Sequence, residues 1–238
     1  TFICSQAQVW TYNFGTTTGS HTAGISTMFL PAPPAGGGTA RVRVGTTAGS
    51  FNLENPGLAI LGTNSELRCV APSSGSVNKV SVYGYTAGKV FYNKFSIVLG
   101  DNTGGTSASS GSWYFFHGSG ATYSDNNGFN SSHVFAGLRW VFGNGGAITT
   151  SYRSPNTPFW IDILTPNPIP LSQGNVYNIE IYGNNSTSSA LYSRSGVQNL
   201  GVNTWDLWIN GVLVGNDLSK ALLPGDANID SWMFYGES

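Results

Sequence analysis

The sequence predicts an all-β protein, a two-sheet antiparallel jelly-roll sandwich. Three observations carry this. Apolar residues alternate, or run in short blocks, between clusters of Gly, Ser, Asn and Pro. No helical periodicity lasts longer than a turn or two. Charged residues make up only 9% of the chain, while 40% is hydrophobic and 13% aromatic. That is enough apolar surface to offset chain entropy, with few charges to keep out of a core.

Taken in order, the expected strands are Val9–Phe14, Thr39–Val44, Glu66–Ala71, Lys79–Tyr85, Lys89–Leu99 and Ser112–His117. They continue with His133–Phe142, Phe159–Ile163, Val176–Tyr182, Trp205–Ile209, Val212–Val214 and Ser231–Tyr235. The breaks have chemical reasons. Pro31 to Gly38 contains three prolines without amide donors, and so cannot join a central strand. Asp101 to Gly111 reads as a polar turn and Thr165 to Pro170 as an extended connector. Asn210-Gly211 supplies the positive φ angles of a tight hairpin between Trp205–Ile209 and Val212–Val214. Composition does not shift along the chain, so residues 8–238 are expected to form a single β-sandwich domain.

Residues 1–7 have two readings. They resemble the end of an apolar signal segment, with Ser5 and Ala7 at the spacing of a cleavage site; alternatively they stay as an N-terminal arm. In the second case Cys4 could bond to Cys69 and close a long loop, worth about 4 kcal/mol on the chain-entropy model. In the first, Cys69 is a lone thiol. Two cysteines this far apart match no zinc spacing.

Charge narrows the partners. The net charge is −1, from 10 Lys+Arg and 11 Asp+Glu scattered singly, so no basic stripe is present to neutralise phosphates, and nucleic acid is not an expected partner. No apolar run of about 18 residues occurs, so no membrane-spanning helix is expected.

The order of an alternating strand, the hairpin Trp205-Asp-Leu-Trp-Ile-Asn-Gly-Val-Leu-Val214 and a closing aromatic strand, Ile229 to Tyr235, resembles the back half of concanavalin-like or laminin-G-like jelly rolls. The segments from Gln8 to Ser20, Ala40 to Gly57, Glu66 to Gly88 and Ser110 to Phe129 resemble N-terminal modules of surface proteins exported by the type IX secretion system. That resemblance implies an extracellular or cell-surface location and a role in adhesion.

Candidate site residues follow from residue chemistry. Glu66 and Arg68 stand two apart on one strand face, where carboxylate and guanidinium could engage a sugar. Ser65 to Arg68 resembles part of a strand motif of jelly-roll alginate lyases. It departs from that motif in having Asn64 for the leading Arg, and a Gln-x-His element is absent. The same two residues also read as a structural ion pair. Trp140 and Arg139, Tyr123 in a Gly/Ser/Asn loop, and Tyr152 are the first choices for ligand contact, through aromatic faces and hydroxyl-binding groups. Their alternative is aromatic cover for sheet edges. Asp226, Asn228 and Asp230 alternate in an oxygen-rich pattern able to wrap a structural calcium; an ordinary Asx-rich turn has the same composition.

No paired acids, no Gly-x-Ser-x-Gly elbow and no His/Asp set suggest catalysis, so no catalytic residue is assigned. The expected function is a glycan-binding or adhesive module, with polysaccharide or surface glycan as partner. The alternatives are a structural subunit of a self-assembling surface filament and a jelly-roll polysaccharide lyase or hydrolase.

Overall fold

The computed structural model describes residues 10–45, 49–57, 61, 65–100, 108–164 and 168–238. The chain is built from antiparallel strands, and helix among the described residues is confined to short 3-10 turns such as Ala121–Tyr123 and Ser131–His133. The first strands are β1 (Gly19–His21), β2 (Gly24–Ser26), β3 (Thr39–Val44), β4 (Ser50–Glu54), β5 (Glu66–Val70) and β6 (Asn78–Gly88). Next come β7 (Val90–Val98), β8 (Ser112–Gly118), β9 (Val134–Phe142), β10 (Ala147–Arg153), β11 (Trp160–Asp162) and β12 (Leu171–Ser172). The last are β13 (Val176–Asn184), β14 (Ala190–Ser193), β15 (Val197–Leu200), β16 (Thr204–Ile209), β17 (Val212–Ser219) and β18 (Ile229–Glu237).

One large sheet runs β11-β10-β9-β8-β18-β6-β3-β2, with β12 added beside β10. Two smaller sheets cover one of its faces. The sheet β17-β16-β13-β7 packs on β8, β9 and β10 through Phe115, Leu138, Trp140, Ile179, Ile181, Trp205 and Leu207. The sheet β1-β4-β5 covers β3 and β6 through Val42, Val80, Val82, Phe51 and Leu53. Trp113, Trp232 and Phe234 pack against both cores. The molecule is thus an antiparallel β-sandwich whose second layer is two sheets rather than the single one expected. Alternation decides each contact: along the register Val42, Val80, Phe234, Phe115, Leu138, every cross-strand neighbour faces the same covered side.

The opposite face of the large sheet carries Tyr114, Phe116, Met233 and Tyr235 beneath the segment 119–133. Lys79, wholly buried, holds that segment by donating to the Thr122 and Asn127 carbonyls and to Asp125 at 3.0 Å. Arg41 donates to the Asp125 carbonyl and the Asn126 side chain, and Ser81 to the Tyr123 carbonyl. Burial lowers the Lys79 pKa and Asp125 pulls it back. A buried cation is tolerated here because its donors are met.

Several expected elements shift. Residues 10–14 form no ladder; Trp10, Tyr12 and Phe14 instead cover the second core in edge-to-face contacts, since a two-residue period describes any extended segment that packs one side. Strands β1, β2, β4, β10, β14 and β15 were not expected, because their Ser, Thr, Gly and Asn content masks the alternation, nor was β12, which is only two residues long. The Asn210-Gly211 turn is as expected, with φ of 50° and 79° between β16 and β17. Val9, residues 1–7 including Cys4, residues 101–107 of the Asp101 to Gly111 connector and residues 165–167 of the Thr165 to Pro170 connector lie outside the described residues. Cys69 is half-buried with its pKa pushed up to about 12 by burial, an unreactive thiol. Among the described residues no helix is long and apolar enough to cross a membrane.

Two outcomes follow. Trp140 lies fully buried in the larger core, so Trp140→Ala should cost about 3–5 kcal/mol in denaturant unfolding. His117 is packed between Phe91 and Phe115, and burial pushes its pKa down to about 3, the Ser231 backbone offsetting part of that. The unfolded chain therefore binds a proton that the folded one does not between about pH 6.5 and 3, and stability should fall as pH drops through that window. Thermal unfolding of wild type and His117→Gln from pH 7 to 4 checks this: the variant should lose stability less steeply.

Candidate functional site

The face of the β17-β16-β13-β7 sheet turned away from the large sheet holds a surface cleft. Strand β13 reads Ile179-Glu-Ile-Tyr-Gly-Asn184, so Ile179 and Ile181 enter the core while Glu180 and Tyr182 point outward. Gly183 is required where it stands: a Cβ there would lie 2.1 Å from the Phe91 ring and 2.9 Å from Phe135. On the neighbouring edge strand β7, Tyr92 is opposite Tyr182 and Lys94 opposite Glu180; on β16, Asp206 and Trp208 complete the two rows.

The β14–β15 hairpin lies over this face and repeats its spacing. Tyr192 and Arg194, two residues apart, drop onto the two rows side by side. The Tyr192 ring stacks on Tyr182 at 3.8 Å, and Tyr182 on Tyr92 at 4.6 Å, about the spacing of adjacent strands. The Tyr192 hydroxyl donates to Asp206 at 2.6 Å and accepts from Trp208 Nε1 at 2.8 Å. The Arg194 guanidinium donates twice to Glu180, both at 3.0 Å, and lies over the Trp208 ring at 5.5 Å. At the hairpin base, Asn184 donates to the carbonyls of Ser188, Leu200 and Gly201, and Asp217 accepts from Gly201 N and Thr204.

The result is an open cleft of about 580 Å³ beside three stacked tyrosines, within the size range of small-ligand sites. Tyr92 ends the stack at the sheet edge and is 53% exposed. Burial raises the pKa of all three tyrosines, and Glu180 or Asp206 nearby adds to this, so the phenols stay protonated. Burial also raises the Asp206 pKa, while the Tyr192 hydroxyl and the Asp217 amide pull it back.

No protein-family model matches the chain, and no curated protein or solved structure is significantly similar to it.

The residues expected from sequence fall elsewhere and are not brought together. Trp140 and Tyr123 are both 0% exposed and offer no face to a ligand: the first lies between the sheets, the second is buried where the 119–133 segment packs on the large sheet, its hydroxyl donating to the His133 carbonyl. Tyr152 is partly buried and packs edge-on to Trp205 against the larger core. Arg139 is on the far face of the large sheet, over the Trp160 ring at 4.8 Å and donating to Ser151. Glu66 and Arg68 share one face of β5 as expected, yet Glu66 is buried against Gly57, and Arg68 reaches across to Glu54 at 3.8 Å. Asp226, in the turn before β18, pairs with Lys89 at 2.8 Å, while Asp230 lies within β18 and accepts from Ser231. Among the described residues no group of three or more His, Cys, Asp or Glu converges to hold a metal.

Of the missed residues Tyr92, Tyr182 and Tyr192, the first two left a trace: in Val90-Phe-Tyr-Asn-Lys94 and Glu180-Ile-Tyr182, an aromatic occupies the polar phase of an alternating strand. Removing the shared hydroxyl tests the fastening. Tyr192→Phe leaves one oxygen of Asp206 and the Trp208 N–H without this partner. It should destabilise the protein by about 1–3 kcal/mol in chemical denaturation.

Proposed function

We propose that the protein is an extracellular or cell-surface glycan-binding module, and that the tyrosine cleft is its binding site. The observation that carries this reading is the exposed ring of Tyr92 at the end of a three-tyrosine stack. Its open face offers the flat apolar surface on which the C–H face of a pyranose rests, and the stack behind it holds the ring in one orientation. Rigid tyrosines cost little entropy on binding, which is what makes them effective anchors. Around them, hydroxyls and the Glu180–Arg194 pair supply donors and acceptors for sugar hydroxyls.

The carboxylates of the cleft favour binding over bond-breaking. Glu180 is held by Arg194 and Tyr182, and Asp206 by Tyr192 and the Asp217 amide, so both act as fasteners of the hairpin. The few charges and the Gly-, Ser- and Asn-rich loops suit an exported surface protein, as does the resemblance to modules of type IX-exported proteins. One site of this size binds weakly; many copies on a surface would bind by avidity.

A glycan array probed with wild type and Tyr92→Ala tests the reading. The wild type should retain at least one saccharide class, and the variant should bind it about two- to tenfold more weakly with an unchanged melting temperature. Retention of no saccharide, or full retention by Tyr92→Ala, overturns it.

A further inference from the structure

We infer that the saccharide taken by this cleft is acidic, a polysaccharide with a negative charge on the sugar that stacks on Tyr92; this rests on the glycan-binding reading above. The charges of the cleft decide it. Glu180 is cancelled by the bidentate Arg194 guanidinium at 3.0 Å on both oxygens. Asp206 is 0% exposed beneath Tyr192, with hydrogen bonds to both its oxygens. The charged side chain left open to a ligand is Lys94, exposed in the cleft wall and making no ion pair among the described residues.

Its position suits the task. Lys94 stands two residues after Tyr92 on the same outward face of edge strand β7, about 7 Å along the strand. That separation matches one sugar ring lying on Tyr92 with its exocyclic acid group turned along the strand. The lysine stem is long enough to meet a carboxylate or sulfate from the side, and its three donors set no narrow geometry. A neutral saccharide would use the stack and leave the ammonium in water. An acidic one uses both.

Affinity electrophoresis through gels containing polygalacturonate, dextran sulfate or neutral dextran tests this, with wild type, Lys94→Gln and Tyr92→Ala at two salt concentrations. Wild type should be retarded by at least one polyanion and less by dextran. Lys94→Gln should weaken that retardation about two- to fivefold, the range of one exposed ion pair, and flatten its salt dependence. Tyr92→Ala should weaken it too. Which polyanion responds tells carboxylate from sulfate. Equal retardation by dextran with Lys94→Gln unchanged overturns the acidic preference and leaves the glycan-binding reading standing. Polyanion retardation that ignores Tyr92→Ala is ion exchange elsewhere and overturns the inference as well. If no gel retards the protein while the array still shows Tyr92-dependent retention of neutral glycans, the inference falls alone. If the array is also blank, the reading falls with it.

Discussion

The burial of one face of β13 is the constraint on which the rest depends. It is a central strand of the smaller sheet, and its alternate residues have opposite duties. Ile179 and Ile181 are buried against the large sheet, and each is worth about 1.5–3 kcal/mol relative to exposure. Once they face inward, Glu180 and Tyr182 have no choice but to face out. A one-residue slip in register would send Tyr182 and Glu180 into the core and expose two isoleucines. The core therefore sets the register, and the register sets the site.

The site also needs a second layer, and that layer is fastened mainly by side chains. The β14–β15 hairpin forms its own two-stranded sheet and joins no other ladder among the described residues. It is placed by Tyr192 on Asp206 and Trp208, and by Arg194 on Glu180, with Asn184 and Asp217 at its base. Because β14 and β13 are both extended, residues two apart on one match residues two apart across the other. Two contacts are then enough to hold the alignment. Burying Asp206 would be costly if its oxygens were left bare; the hydrogen bonds from Tyr192 and Asp217 offset that.

The same economy of charge runs through the other face of the large sheet. Lys79 and Arg41 pin the 119–133 segment through carbonyls and Asx side chains, and Arg153 lies over the Phe129, Phe159 and Trp160 rings while donating to Ser131. In a chain with so few charged residues, these and the cleft's Glu180 and Asp206 serve as internal fasteners. Lys94 differs from them in being exposed, with no ion pair among the described residues, and that exposure gives it weight as a ligand contact.

The β class, the Asn210-Gly211 hairpin and many of the strands were legible in the sequence. They depend on interactions within about ten residues: the two-residue alternation, prolines that lack a donor, and a turn that demands positive φ. Alternation also divides each strand into two faces. It does not say which face will be covered, and here local reasoning failed. Trp140 and Tyr123 looked like surface aromatics in polar surroundings, and both are core; Tyr92 sits in an equally ordinary strand and is exposed. The difference arises because Trp140 meets a sheet supplied by β13 and β16, distant in sequence, whereas Tyr92 lies on the outer side of an edge strand and stays about half exposed. Strand pairing across long stretches of chain, a tertiary matter, decided which aromatics became core and which became surface.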